Sequence, residues 1–133
     1  EERNIPINKN LIRYTLHEEN AFTMENGYKL MKELLESEEE FTAVYAVSDS
    51  MVIGASKAIL ESGKKIPEDI SIVGFGHTNI SKVVEPKLTT VHFHYKTSGI
   101  EAANIIMNMI ENGDKIIRDI KMGYEIIVQE STN

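Results

Sequence analysis

Apolar residues fall in two alternating rhythms along this chain. Short runs rich in β-branched and aromatic residues are followed by stretches with apolar positions three and four apart, the period of a helix with one buried face. Asn10 to His17, with Leu11, Ile12, Tyr14 and Leu16, reads as a strand. Thr23 then reads as a helix N-cap, because its hydroxyl can accept from a free first-turn amide, and Glu25 in that turn suits the helix dipole. The helix runs to about Ser37, with Tyr28, Met31, Leu34 and Leu35 as its apolar stripe.

Phe41 to Val47 is nearly all apolar, as expected of a strand buried on both faces of a parallel sheet. Ser48, Asp49 and Ser50 follow as candidate caps of a second helix carrying Met51, Val52, Ala55, Ala58 and Ile59. Gly63 is its expected left-handed stop, and Pro67 cannot continue a helix. Ile70 to Phe75 reads as the next strand, Gly74-Phe75-Gly76 opens a loop running to Pro86, and Leu88 to Phe93 reads as a further strand. Tyr95 to Asn112 reads as a helix with Gly99, Ala102, Ala103, Ile106 and Ile110 on one face, ended by Gly113. Ile116 to Gln129 reads as one or two closing strands, with Gly123 as a possible bulge.

Alternation of strand and helix predicts an α/β lobe of three layers, a mostly parallel sheet flanked by helices. Ligands of such sheets bind beyond the carboxyl ends of the strands. That rule points to His17 to Phe22, Ser48-Asp49, and Gly76 to Asn79.

Composition narrows the function. The 133 residues are one domain or large lobe, and 41% hydrophobic content is enough for a core. No run is long enough to span a membrane, and the opening Glu1-Glu2-Arg3-Asn4 reads as the interior of a longer protein rather than a secretion signal. The absence of cysteine removes disulfides and thiolate metal sites and fits a cytoplasmic location. Fourteen basic against 21 acidic residues give a net charge of −7, with scattered lysines and an acidic run at Glu36 and Glu38 to Glu40 that reads as a solvated helix end. A DNA-contacting surface would be basic, so any DNA contact belongs outside this chain. No nucleophile elbow, phosphate loop, zinc motif or nucleotide fingerprint appears, so no catalytic residue, cofactor or metal is expected.

Four segments resemble the regulatory domain of the LacI/GalR family, whose fold is shared with periplasmic sugar-binding proteins: FTMENGYKLMKELLES, TAVYAVSDSMVIGASKAILESGKKIPEDISIVGFGHT, EPKLTTV and EIIVQEST, spanning Phe22 to Thr132 in order. The resemblance implies that residues 1–133 are the C-terminal lobe of an effector-binding domain. It also implies that helix 95–112 packs on an N-terminal lobe, that the protein is a homodimer binding a small effector between lobes, and that it meets DNA only through a separate N-terminal head. A periplasmic solute-binding protein of a sugar importer is the alternative on the same fold; LTTV and the EST tail favour the regulator.

The resemblance places candidate effector contacts at Phe22, Ser48, Asp49, Gly76, His77 and Phe93. Phe22 either stacks on the effector or staples the start of the Thr23 helix. Ser48 is the better contact of its pair and Asp49 the better cap. Gly76 stands where the family commonly has an aspartate that binds effector hydroxyls. A standard polyhydroxylated sugar therefore fits less well, and His77, a backbone amide, or an anionic or less polar ligand is implied instead. Glycine there also suits a loop needing positive φ. Phe93 would face the cleft or belong to the core. Met51, Val52, Ile53 and Val84 are the implied dimer surface. His92 and His94, two apart on a strand, face one side, and without a third ligand nearby in sequence they read as an unliganded pair.

Overall fold

The computed structural model describes residues 6–15, 20–113 and 116–133. Helix α1 (Met24–Leu35) leads to strand β1 (Ala43–Tyr45), helix α2 (Asp49–Glu61), strand β2 (Ser71–Phe75), strand β3 (Thr89–Phe93), helix α3 (Tyr95–Asn112) and strand β4 (Tyr124–Ile127). The strands form one sheet in the order β1-β2-β3-β4, the first three parallel and β4 antiparallel to β3. The carboxyl ends of β1, β2 and β3 therefore share one edge of the molecule.

Local chemistry sets these elements. Thr23 caps α1, its hydroxyl accepting from the Asn26 amide at 3.2 Å. Gly63 and Gly113 take left-handed conformations just beyond α2 and at the end of α3. The apolar stripe of α1 does what its spacing predicts: Met31 and Leu34 are buried, with Tyr28 and Leu35 packed at the edge of the core. That core joins them to Val52, Ala55 and Ile59 of α2, to Ile66 and Ile70, to Ile72 of β2, and to Leu88 just before β3. Each fully buried aliphatic side chain contributes roughly 1.5–3 kcal/mol.

Helices α1 and α2 meet through two glycines that their apolar pattern does not advertise. A Cβ on Gly27 would overlap the Met51 backbone, and one on Gly54 would overlap the Met24 carbonyl. The pair sets how closely the helices cross.

Three expectations change. The strand expected over Asn10 to His17 is instead a 3-10 turn at Lys9–Leu11, capped by Asn8, followed by irregular chain to residue 15. Glu39 holds this turn from the side, accepting from both Asn8 and Asn10 amides at 2.7 Å, and these bonds put its carboxyl below the usual carboxylate range. His17 lies outside the described residues. The Phe41 to Val47 run is not buried on both faces: its strand is Ala43–Tyr45, and Tyr45 is exposed. The sheet face bearing Tyr45, Phe75, Tyr124 and Ile126 is open, while the other face takes α2. The closing region, expected as one or two strands over Ile116 to Gln129, is the single strand Tyr124–Ile127, and Gly123 lies outside it instead of forming a bulge.

Helix α3 has no buried residue, and Ile100, Ile106 and Ile110 stand exposed along it. None of the described helices is long and apolar enough to cross a membrane.

Candidate functional site

The carboxyl edge of the sheet is organised around a buried carboxylate. Asp49 is the first residue of α2 and 1% exposed. Its Oδ1 accepts from the Thr90 hydroxyl at 2.7 Å, and its Oδ2 accepts from the Thr78 amide at 2.7 Å and the Thr78 hydroxyl at 3.1 Å. The start of α2 adds its favourable dipole. One side chain thus ties α2, the loop after β2, and β3. Gly74 makes the space: a Cβ there would lie 2.5 Å from Asp49 Oδ1 and 3.0 Å from Leu88 Cδ2.

The cap expected of Asp49 is therefore supplied by Ser48. Ser48 caps α2, its hydroxyl accepting from the Met51 amide at 3.2 Å, and Asp49 is committed to Thr78 and Thr90. Geometry explains the difference. The N-cap residue has extended backbone, as Ser48 does (φ −151°, ψ 150°), while Asp49 is already helical and its side chain turns back toward the sheet.

Beyond β2 the backbone turns through two unusual residues. Gly76 has φ 127° and His77 has φ 48°, a left-handed conformation uncommon for a non-glycine residue. The His77 amide donates to Thr90 Oγ1 at 3.2 Å, so Thr90 links Asp49 to this strained turn.

Pairing of β2 with β3 carries the His77 turn beside the end of β3. The rings of His77 and His92 meet edge to face, centroids 5.0 Å apart, and His94 lies 5.3 Å from His92. The Nδ1 atoms of His77 and His92 are buried with no hydrogen-bond partner. Burial, then Lys82, then His92 push the His77 imidazole below its ordinary pKa, against a weaker opposite pull from Asp49. His94 Nε2 lies 3.7 Å from the Glu125 carboxylate on β4. Among the described residues, no group of three or more histidine, aspartate or glutamate side chains is arranged to hold a metal ion.

On the open face, Phe93 lies 4.7 Å from Phe75 and 5.9 Å from Tyr95, and Tyr45 lies 6.5 Å from Phe75, centroid to centroid. Phe93 is half-buried within this aromatic row, not in the closed core. Phe22 is 65% exposed and staples nothing, because the position it would pack on in α1 is Gly27. Of the expected contacts, the structure gathers Asp49, Gly76 and His77 around Thr90 and leaves Phe22 outside that group. His92, Thr90, Thr78, Gly74 and Tyr95 join the site without having been singled out for it. The sheet register, which brings Val73 opposite Thr89, is the signal that would have found the histidine pair.

Of the four expected interface residues, Val52 belongs to the core at 2% exposure, because it faces the sheet from α2. Ile53 and Val84 line a groove of about 310 Å³ with Leu60 and Pro86, and Met51 lines another of about 340 Å³ between α1, β1 and the Leu11–Arg13 segment.

Residues 8–132 match the model of the periplasmic binding protein-like domain. The HTH-type transcriptional repressor PurR of Histophilus somni is 33% identical over 131 residues, covering 98% of this chain and 38% of the repressor. The chain thus spans less than half of that relative's length. A sugar-binding transcriptional regulator of the LacI family from Escherichia coli, solved with phosphate, superposes with a TM-score of 0.83 at 28% identity, over 96% of this chain and 44% of its own. A LacI family regulator from Enterococcus faecium, solved with ribose, gives a TM-score of 0.75 at 29% identity, over 84% of this chain and 41% of its own.

Proposed function

Because the chain belongs to the periplasmic binding protein-like domain family, in the form carried by LacI/GalR-type regulators, we propose that it is the ligand-sensing lobe of a DNA-binding transcription regulator. It binds a small effector, a sugar, sugar phosphate or nucleoside-like molecule, in a cleft between the carboxyl edge of its sheet and a second lobe. The observation that carries this reading is the convergence there of a strained loop at Gly76 and His77, orphaned imidazole nitrogens and exposed aromatic rings. Strained residues and unpaired buried polar atoms concentrate at binding sites. The ribose and phosphate held by two similar regulators support the effector classes.

The protein works as a homodimer in the cytoplasm, with Met51, Ile53 and Val84 at the subunit contact. Helix α3 packs its Ile100, Ile106 and Ile110 stripe on the N-terminal lobe. Its lack of any buried residue here supports that placement. DNA is met only through a separate N-terminal head. An effector shifts operator affinity by its differential affinity for open and closed lobes.

Calorimetric titration of the full-length protein with sugars, sugar phosphates and nucleosides, beside operator binding with and without each, tests the reading. One ligand that binds and changes operator affinity is expected. No ligand binding at millimolar concentration, with operator affinity constant throughout, would sink it.

A further inference from the structure

We propose that His77 and His92 are the ligand-holding residues of this site and that the group they hold is an anion, the phosphate or carboxylate of the effector. The proposal rests on the effector-lobe reading above and names the chemistry of that site.

Position comes first. His77 follows β2 and His92 sits near the end of β3, where ligands of parallel sheets bind. Their rings are edge to face at 5.0 Å, so one small group can touch both. Neither Nδ1 has a partner, and leaving a buried polar atom unpaired is costly. Two such atoms on touching rings mark a place where something is to be bound. The backbone agrees: His77, at φ 48°, donates its N–H to Thr90 Oγ1, and the next residue, Thr78, donates to Asp49. Surroundings that fix a histidine in an unfavourable conformation are orienting that ring.

Charge then selects the ligand. A neutral polyol is best held by carboxylates that accept from its hydroxyls, and among the described residues Gly76 and Asp49 offer no free one on the sheet face that takes α2. Gly76 has no side chain, and both oxygens of Asp49 are occupied by three protein donors. The groups facing the pair are Asp49 from α2, Lys82 from the turn after β2, His94 between β3 and α3, Tyr95 from α3, and Glu125 from β4. Glu125 is the cross-strand partner of His92 but sits against His94. What remains for a ligand is imidazole N–H donors with a lysine beside them.

An anion seated there stabilises the imidazolium form and so draws a proton onto the ring. The free His77 pKa lies below its ordinary value, chiefly through burial, and the bound pKa is raised by the anion. Affinity is therefore full below the free pKa and is lost as pH rises through the bound pKa.

The test uses the full-length protein with isotope-labelled histidine side chains, read by NMR before and after the addition of EDTA. The probes are ribose 5-phosphate, ribose, inorganic phosphate and acetate, at about pH 6 and about pH 8. Ribose 5-phosphate is expected to move the His77 and His92 resonances and to weaken by up to about tenfold per pH unit across the window. Whether phosphate or acetate moves the same signals identifies the anion. His77→Asn, a residue that tolerates left-handed backbone, is expected to remove the pH dependence with the thermal melt retained. His92→Gln gives a second variant should the first not fold. Equal binding of ribose and ribose 5-phosphate at both pH values would overturn the anion proposal and leave the effector lobe standing. Histidine shifts that vanish when EDTA is added would make the pair a metal site and overturn it too. No probe binding at all would overturn the anion proposal, while the effector lobe stands or falls on the wider titration with sugars, sugar phosphates and nucleosides.

Discussion

Replacing Asp49 with asparagine changes one atom and tests whether the carboxylate is the clamp of the lobe. The asparagine carbonyl can still accept from the fixed Thr78 amide, which leaves its NH2 facing Thr90. Thr90 already accepts from the His77 amide, so its hydroxyl proton loses its acceptor and the chain to the left-handed turn is broken at its source. Bonds to a charged acceptor contribute roughly 1.5–3 kcal/mol each and neutral ones about 0.5–1.5. Losing one bond and the charge from the others therefore removes about 3 kcal/mol. Relief of the buried charge's desolvation works the other way. The loss outweighs it, because three donors and the start of α2 already surround the carboxylate. A net destabilisation of about 2–3 kcal/mol is expected, from a total of roughly 5–15 for a domain. With a urea slope of about 1–3 kcal/mol/M, the unfolding midpoint should fall by about 0.7–3 M. Combining the change with Thr90→Val in a double-mutant cycle should give a coupling of about 1–3 kcal/mol. A midpoint that stays put, or rises, would refute the clamp and show that desolvation governs the buried charge.

Gly54→Ala should push α1 away from α2, because the added Cβ overlaps the Met24 carbonyl; a loss of about 1–3 kcal/mol is expected in the same urea assay. Gly76→Asp, which restores the family's usual residue, should not restore a sugar site. At φ 127° the side chain is strained, so a loss of about 1–3 kcal/mol and no ribose heat are expected in calorimetry. The Glu39 carboxyl is lowered by its bonds to Asn10 and Asn8, so its contribution is in place above the ordinary carboxylate pKa and lost as pH falls through the lowered folded value. Protection factors at Asn10 and Leu11, corrected for the intrinsic exchange rate at each pH, should fall on acidification before those of α1 do, and a Glu39→Gln variant should lose that pH dependence.

Periodicity read α1 and α2 well because their burial is one-sided: Met31 and Leu34 face α2, and Ala55 and Ile59 face the core. It failed at Asn10 to His17, where alternating apolar residues describe a strand but nothing in the described chain pairs with Ile12 to Thr15 as a ladder. The family resemblance named Asp49 and His77 as site residues but misjudged what Asp49 does. Capping preferences treat Ser48 and Asp49 as equivalent, and only the backbone angles separate them. His92 was noted beside His94 as a neighbour on one strand. Its true companion is His77, fifteen positions away in sequence and touching only through the β2–β3 register. Gly27 and Gly54 were invisible for another reason: a helix pattern counts apolar side chains and passes over the places where none will fit.

Ser131 has a temporal consequence. Its hydroxyl donates to the Ile72 carbonyl at 2.6 Å and accepts from the Thr89 amide at 2.8 Å, while its amide donates to the Lys87 carbonyl at 3.0 Å. It bridges the amino-terminal halves of β2 and β3 from a position 59 residues after Ile72. A ribosome adding roughly 5–20 residues per second leaves that junction open for several seconds after β2 emerges. During that interval the nascent lobe holds its parallel strands without the residue that joins them, exposed to mispairing and to the chaperones that patrol for it.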